Sequence, residues 1–206
     1  MGAVGVALLA VGPQALRAWG AACARFAVSF WRHRAAVWRA GRALRVRWWR
    51  LALHDCARLH PRECLRYVGG MHLREGDGSG VPAARRRLWL AAALRHHYAA
   101  CAHHHEHYVD DRGLAAPMPE QDVREMVADW CALGLESGGG PGVAGPGLDA
   151  GACVLGAAWC EAHVPGMVLH DVTTARIIAV LDDGGIRCDT RVRELFAAKL
   201  GRRREG

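Results

Sequence analysis

Histidines and acids recur along this chain on segments of helical periodicity. His33 comes first, then the adjacent pair His54-Asp55, then His96-His97 and the cluster His103-His104-His105-Glu106-His107; Glu125 and Asp129 close the series. Histidine and carboxylate form the ligand set that borderline divalent metals prefer. An adjacent His-Asp pair inside the apolar stretch LALHDCARLH is hard to place as surface decoration. The pattern therefore points to a chain folded around a buried metal centre, without naming a reaction.

The rest of the chain reads as helical almost throughout. Ser29 to Val46 and Trp48 to His60 are expected as two helices, the second carrying His54-Asp55, with Pro61 opening a short helix to Met71. GDGSGVP (76–82) is a loop, Ala83 to Val109 a long Ala-rich helix carrying both histidine groups, and Asp110 to Met118 a second loop. Pro119 suits the first position of the helix PEQDVREMVADWCALGLE. The Gly-rich connector at 137–151 has a composition that cannot pack a core, and further helices are expected from about Ala152, Val172 and Thr190. No strand alternation is sustained, so the fold class is all-α. With 206 residues, 51% of them hydrophobic, a single-domain helical bundle is expected. Its boundaries are an N-terminal apolar and basic extension (1–28), the helical domain (29–182), and a C-terminal helix with a basic tail (183–206).

Helical geometry sharpens the site. Offsets of four and seven return to one face, so His97, Cys101 and His104 share a stripe on the long helix. Asp122, Glu125 and Asp129 make a similar stripe on the next one. Antiparallel packing across the short loop would set histidines against acids, with His33 and His54-Asp55 completing a ring from two other helices. Carboxylates in such a ring orient the metal's ligands or polarise a histidine. Cys101 is read as packing, and His105 as part of a solvated face.

Eight cysteines show no C-x-x-C pair and sit mostly in apolar helix-like stretches, as reduced core residues of a cytoplasmic protein would. The start, MGAVGVALLAVGPQAL, lacks a basic lead and a cleavage site and is too short and Gly-rich for a membrane span; Val6 stands where a myristoylation motif wants Ser or Thr. No membrane partner is expected. The formal charge of +7 is uneven, with ten arginines and one acid up to His60. These arginines alternate with Trp31, Trp38, Trp48 and Trp49. That fits an amphipathic helix whose long side chains lie over its apolar face, ahead of a nucleic-acid surface.

Three segments carry a resemblance. LALHDCARLHPRECLRY resembles the pattern H-D-x-S-K-F-x-P-x-E-F-x-x-Y of the domain-of-unknown-function family 5662. ALRHHYAACAHHHEHYV is similar to its A-W-x-H-H-x-x-x-N-x-H-H-x-x-x-W, and MPEQDVREMVADWCA to its M-P-x-x-x-x-x-E-M-x-x-D-W. AAWCEAHVPGMVLHDVTTARI follows its later element more loosely. The family's order of a lone His, His-Asp, histidines and Asp in turn resembles the HD superfamily of metal-dependent phosphohydrolases. The resemblance implies an HD-domain-like fold in which His33, His54, Asp55 and Asp129 are the core ligands. It further implies that His97 and His104, or His103, hold a second metal or touch substrate. Ala57-Arg58 replaces the pattern's Ser-Lys, Cys101 its Asn and Tyr108 its Trp; an arginine at 58 still suits bidentate phosphate contact.

The expected activity is hydrolysis of a nucleotide or other phosphate ester by water activated on one or two divalent ions (Mn, Mg, Zn or Fe). His97, His104 or Glu125 would move the proton and Arg58 would steady the phosphate. Two alternatives use the same residues. One is a di-iron oxygenase; the other is a non-catalytic protein that binds nucleic acid through its basic half, with structural histidines.

Overall fold

A computed structural model of the protein describes residues 12–136, 153–183 and 185–202, so the Gly-rich connector and Arg203-Arg204 lie outside the described residues. The fold is all-α: α1 (Pro13–Ala43), α2 (Trp48–Leu53), α3 (Pro61–Tyr67), α4 (Ala83–Ala100), α5 (Glu120–Glu136), α6 (Ala157–His163), α7 (Asp171–Asp182) and α8 (Thr190–Arg202). One parallel pair, β1 (Cys153–Leu155) with β2 (Ile186–Cys188), aligns Cys153 with Ile186 and Leu155 with Cys188. Strands of three residues are too short to leave an alternation in the sequence.

The chain divides into two compact units, each with its own core. The first comprises the described residues up to Trp31 together with Asp55–His97; the second comprises Arg32–His54 and the described residues from Tyr98 on. In the first unit Ala18, Ala22, Phe26 and Phe30 of α1 pack with Tyr67, Val68, Leu73 and Ala93. Residues 13–28, expected to be an extension, are thus the first half of α1 and supply much of that core. In the second unit Val37, Ala40 and Leu44 pack with Val123, Met126, Val127 and Trp130 of α5 and with Ile177, Val180 and Leu181 of α7. Val192 and Phe196 of α8 belong to the same core, and the Phe196 ring stacks on Trp130 at 6.0 Å.

Helix ends follow from identifiable partners. At α3, Pro61 takes the first position and the His60 side chain accepts from the Arg62 N–H. The His170 ring does the same for α7 from Val172 N–H. α5 begins at Glu120, with the Pro119 carbonyl accepting from Asp122 and Val123 and with Glu120 and Asp122 in its positive first turn.

Two expected helices are cut short. The segment Trp48–His60 is not continuous: α2 stops at Leu53, Asp55 sits at φ +58°, and a 3₁₀ turn (Cys56–Leu59) follows. The reason is Arg34, whose guanidinium donates to the carbonyls of Ala52 (2.5 Å) and His54 and so satisfies the helix's last acceptors. Aspartate tolerates the left-handed conformation better than most side chains. The helix expected over Ala83–Val109 ends at Ala100, because the His107 ring folds back to the Ala99 carbonyl (2.8 Å) and residues 105–108 form a 3₁₀ turn.

Candidate metal centre

In the second unit four segments converge on one buried cluster. The later half of α1 supplies His33, the end of α2 supplies His54, and α5 supplies Glu125 and Asp129. The turn after α4 supplies His103. All five are at most 4% exposed. His33 Nε2 lies 2.9 Å from Asp129 Oδ1 and 3.4 Å from His54 Nε2, and His54 Nε2 lies 3.8 Å from Asp129 Oδ1. Three potential donor atoms therefore face one point.

The other edge of His54 is also engaged. Its Nδ1 lies 3.0 Å from Glu125 Oε1; in the tautomer that donates there, Nε2 carries the lone pair and faces His33 and Asp129. His103 Nδ1 lies 3.4 Å from the same Glu125 oxygen, and the His103 and His54 rings are 4.3 Å apart. Glu125 Oε2 accepts from Arg50 Nε at 2.8 Å. Arg50 also pairs with Asp122, whose second oxygen accepts from the Tyr108 hydroxyl at 2.5 Å. Two overlapping three-residue groups result, His33-His54-Asp129 and His54-His103-Glu125, sharing the His54 imidazole.

Electrostatics keep the acids ionised. Burial pushes the Asp129 carboxyl upward, but hydrogen bonds and positive charge from His33 and His54 outweigh it and hold Asp129 well below the usual range. Glu125 is likewise lowered against its burial, by His54, His103 and Arg50. The Tyr108 hydroxyl is raised by burial and by its bond to Asp122, so it stays protonated as a donor.

Other expected site residues lie in the first unit, in a second buried network. Asp55 Oδ1 is 3.1 Å from His97 Nε2, and its Oδ2 forms an ion pair with Arg58 Nε at 2.8 Å. Glu63, fully buried, meets both members of the double histidine: Oε2 hydrogen-bonds His96 Nδ1 and Oε1 lies beside His97 Nδ1, each at 2.9 Å. Burial raises the Glu63 carboxyl, yet its bonds to His97 and His96 bring it below the ordinary value. Arg58 lies over the Tyr67 ring at 4.9 Å. The His104 ring, in the second unit, lies 4.9 Å from that of Tyr98 and 4.3 Å from that of His103, tilted to both.

The expected acid stripe of α5 is built: Asp122, Glu125 and Asp129 are all buried, and Glu125 and Asp129 meet histidines. The expected stripe of His97, Cys101 and His104 on one helix is not, because α4 ends before Cys101. Sequence reasoning overlooked Glu63, Arg50 and Arg34. Glu63 had a signal, since it matches the glutamate two residues after proline in the quoted family pattern. Arg50 and Arg34 had none, being two among many arginines.

The chain is thus an all-α protein with a buried constellation of histidines and carboxylates. Residues 24–182 match a family of unknown function, DUF5662, and the chain belongs to that family; the matched span contains every residue of both networks. No curated protein and no solved structure matches the chain.

Proposed function

We propose that this protein is an HD-like, metal-dependent phosphohydrolase whose ion is held by His33, His54 and Asp129. The observation that carries the reading is the convergence of two imidazole Nε2 atoms and one carboxylate oxygen at 2.9–3.8 Å from one another. Metal bonds of about 2.1 Å to nitrogen and oxygen place neighbouring ligand atoms about 3.0–3.4 Å apart in octahedral or tetrahedral arrangements. The 3.4 Å separation lies in that range, the 2.9 Å one falls just short of it, and the 3.8 Å one between His54 and Asp129 would have to close on the ion. The borderline donor set fits Mn, Fe or Zn better than an oxygen-only site would.

Each residue has a defined task. Glu125 fixes the His54 tautomer so that Nε2 faces the ion, and Arg50 fixes Glu125 and balances its charge. Asp129 supplies the anionic ligand. His103, behind Glu125, is placed to share a proton with that carboxylate. A bound divalent ion lowers the pKa of its water to about 7 and offsets charge developing on a phosphoryl group. The substrate class, a nucleotide or other phosphate ester, rests on the resemblance to HD phosphohydrolases. The buried Cys160, a free thiol in the second unit's core, fits a reducing, cytoplasmic setting.

The test is elemental analysis of purified protein, wild type beside Asp129→Ala, followed by a phosphatase screen of the loaded enzyme. Near-stoichiometric manganese, zinc or iron lost in the variant, with metal-dependent phosphate release, is expected. Wild type that takes up no ion after reloading would overturn the metal centre. A loaded protein that consumes oxygen and releases no phosphate would overturn the hydrolase.

A further inference from the structure

The hairpin of the second unit formed by the later half of α1, the turn 44–47 and α2 presents an outward surface that the proposed metal centre does not use. On α1 the inward positions are His33, Ala36, Val37, Ala40 and Gly41, while Arg32, Ala35, Trp38, Arg39 and Arg42 are exposed. That division follows the 3.6-residue period. α2 lies against α1 at Gly41, where a Cβ would run into the Leu51 side chain. Leu51 is buried, and its neighbours Trp48 (71% exposed), Trp49 (43%) and Leu53 (62%) face outward. The turn between the helices adds exposed Arg45 and Arg47.

Three features select the occupant. The first is charge: no acid precedes Asp55 in the sequence, and among the described residues no carboxylate pairs with Arg39, Arg42, Arg45 or Arg47. Nearby acids are committed elsewhere, Asp122 and Glu125 to Arg50, Glu120 and Asp183 to Arg124. The partner surface must therefore be anionic. A second copy of this face would set arginine against arginine.

The second feature is chemistry. Residues 32–53 contain only Arg, Trp, His, Ala, Val, Leu and Gly, so the hydroxyl and amide side chains that read adenine or a polar protein surface are absent and the arginines are left to meet phosphates. Exposed indoles and leucine beside arginine are the composition of a helix lying in a bilayer interface, where tryptophan sits at headgroup depth. The third feature is geometry: Trp49 and Leu53 are four residues apart and so share one face of α2, with Trp48 beside them and the arginines of the turn just ahead. No described helix is long and apolar enough to cross a membrane, and surface docking requires none.

We propose that this hairpin docks the protein on an anionic lipid surface, with Trp48, Trp49 and Leu53 entering the interface and Arg39, Arg42, Arg45 and Arg47 meeting the lipid phosphates. The proposal is independent of the metal reading, since none of these residues is assigned to the ion.

The test is co-sedimentation of the full chain with vesicles of phosphatidylcholine, with and without about one-third phosphatidylserine. Binding is expected only to the anionic vesicles. Each arginine near such a surface contributes about 1 kcal/mol, or about fivefold, so Arg45→Ala/Arg47→Ala is expected to bind about 30-fold more weakly. Trp48→Ala/Trp49→Ala should also weaken binding and diminish the blue shift of tryptophan emission. All four positions are exposed, and circular dichroism will check that the variants fold. Arg85→Ala/Arg87→Ala, exposed in the other unit, should bind like wild type. Equal loss in that control would reveal non-specific attraction and overturn the proposal. So would wild type that ignores anionic vesicles, the same arginines binding RNA or DNA instead, or a salt-resistant dimer that buries the tryptophans.

Discussion

Replacing Glu125 by glutamine removes one charge and almost no volume from a side chain that the proposed ion does not touch. Glu125 accepts from two donors, His54 Nδ1–H at 3.0 Å through Oε1 and Arg50 Nε–H at 2.8 Å through Oε2. A glutamine has one oxygen, so its NH2 must face either Arg50 or His54, setting donor against donor. Turned toward Arg50, the amide keeps His54 in place but loses the charge that makes its Nε2 a strong donor. Turned toward His54, it displaces the ring. Loss of a carboxylate that orients a metal-binding histidine typically costs 10–100-fold in affinity, which corresponds to about 1.4–2.7 kcal/mol. Asp129→Ala, which deletes a ligand, should abolish binding instead. Zinc or manganese affinity measured by competition with a chromophoric chelator separates the two, with circular dichroism as the folding control. Glu125→Gln binding as wild type does, or losing metal as completely as Asp129→Ala, would refute the assignment of Glu125 behind His54 rather than on the ion.

Phe196→Ala removes a fully buried ring that stacks on Trp130, and should lower the stability of the second unit by about 3–5 kcal/mol in urea unfolding. In the first unit Gly70 allows close approach of α4: a Cβ there would lie 2.7 Å from Leu90 N and 2.9 Å from Arg86 O. Backbone cannot yield as a side chain would, so Gly70→Ala should cost about 1–3 kcal/mol or more, read as a lower Tm. Burial first, and then the charge of Arg25, depress the His72 pKa, so the fold favours its neutral ring. The unfolded chain takes up that proton near about 6.5. His72's contribution is therefore complete above that pH and falls away as pH drops toward the lower folded value. Unfolding free energies at pH 8 to 5 should decline less steeply in His72→Leu than in wild type.

Much of the centre was legible one helix at a time. The 3.6-residue period places Asp122, Glu125 and Asp129 on one face of α5 before any partner is known, and all three are buried there. His33 and His54 stood out because histidine is costly to bury in apolar helices without a partner, and the fold gives each one. The all-α class followed from the same periodicity.

Tertiary structure decided where helices stop and which charges meet. Helical preference differs by only a few tenths of a kcal/mol per residue among ordinary side chains, so a single remote hydrogen bond can set an end. Arg34 ends α2 from 18 and 20 residues away, which frees His54 from a continuous helix and turns Asp55 into a left-handed residue. His107 similarly closes α4 and leaves His103 in a turn beside Glu125. Arg50 meets Asp122 and Glu125 across more than 70 positions of chain, and Glu63 meets the double histidine across 33. Periodicity reports which face of a helix is buried. Which side chain waits on the other side of that face depends on packing between segments, and no local pattern records it.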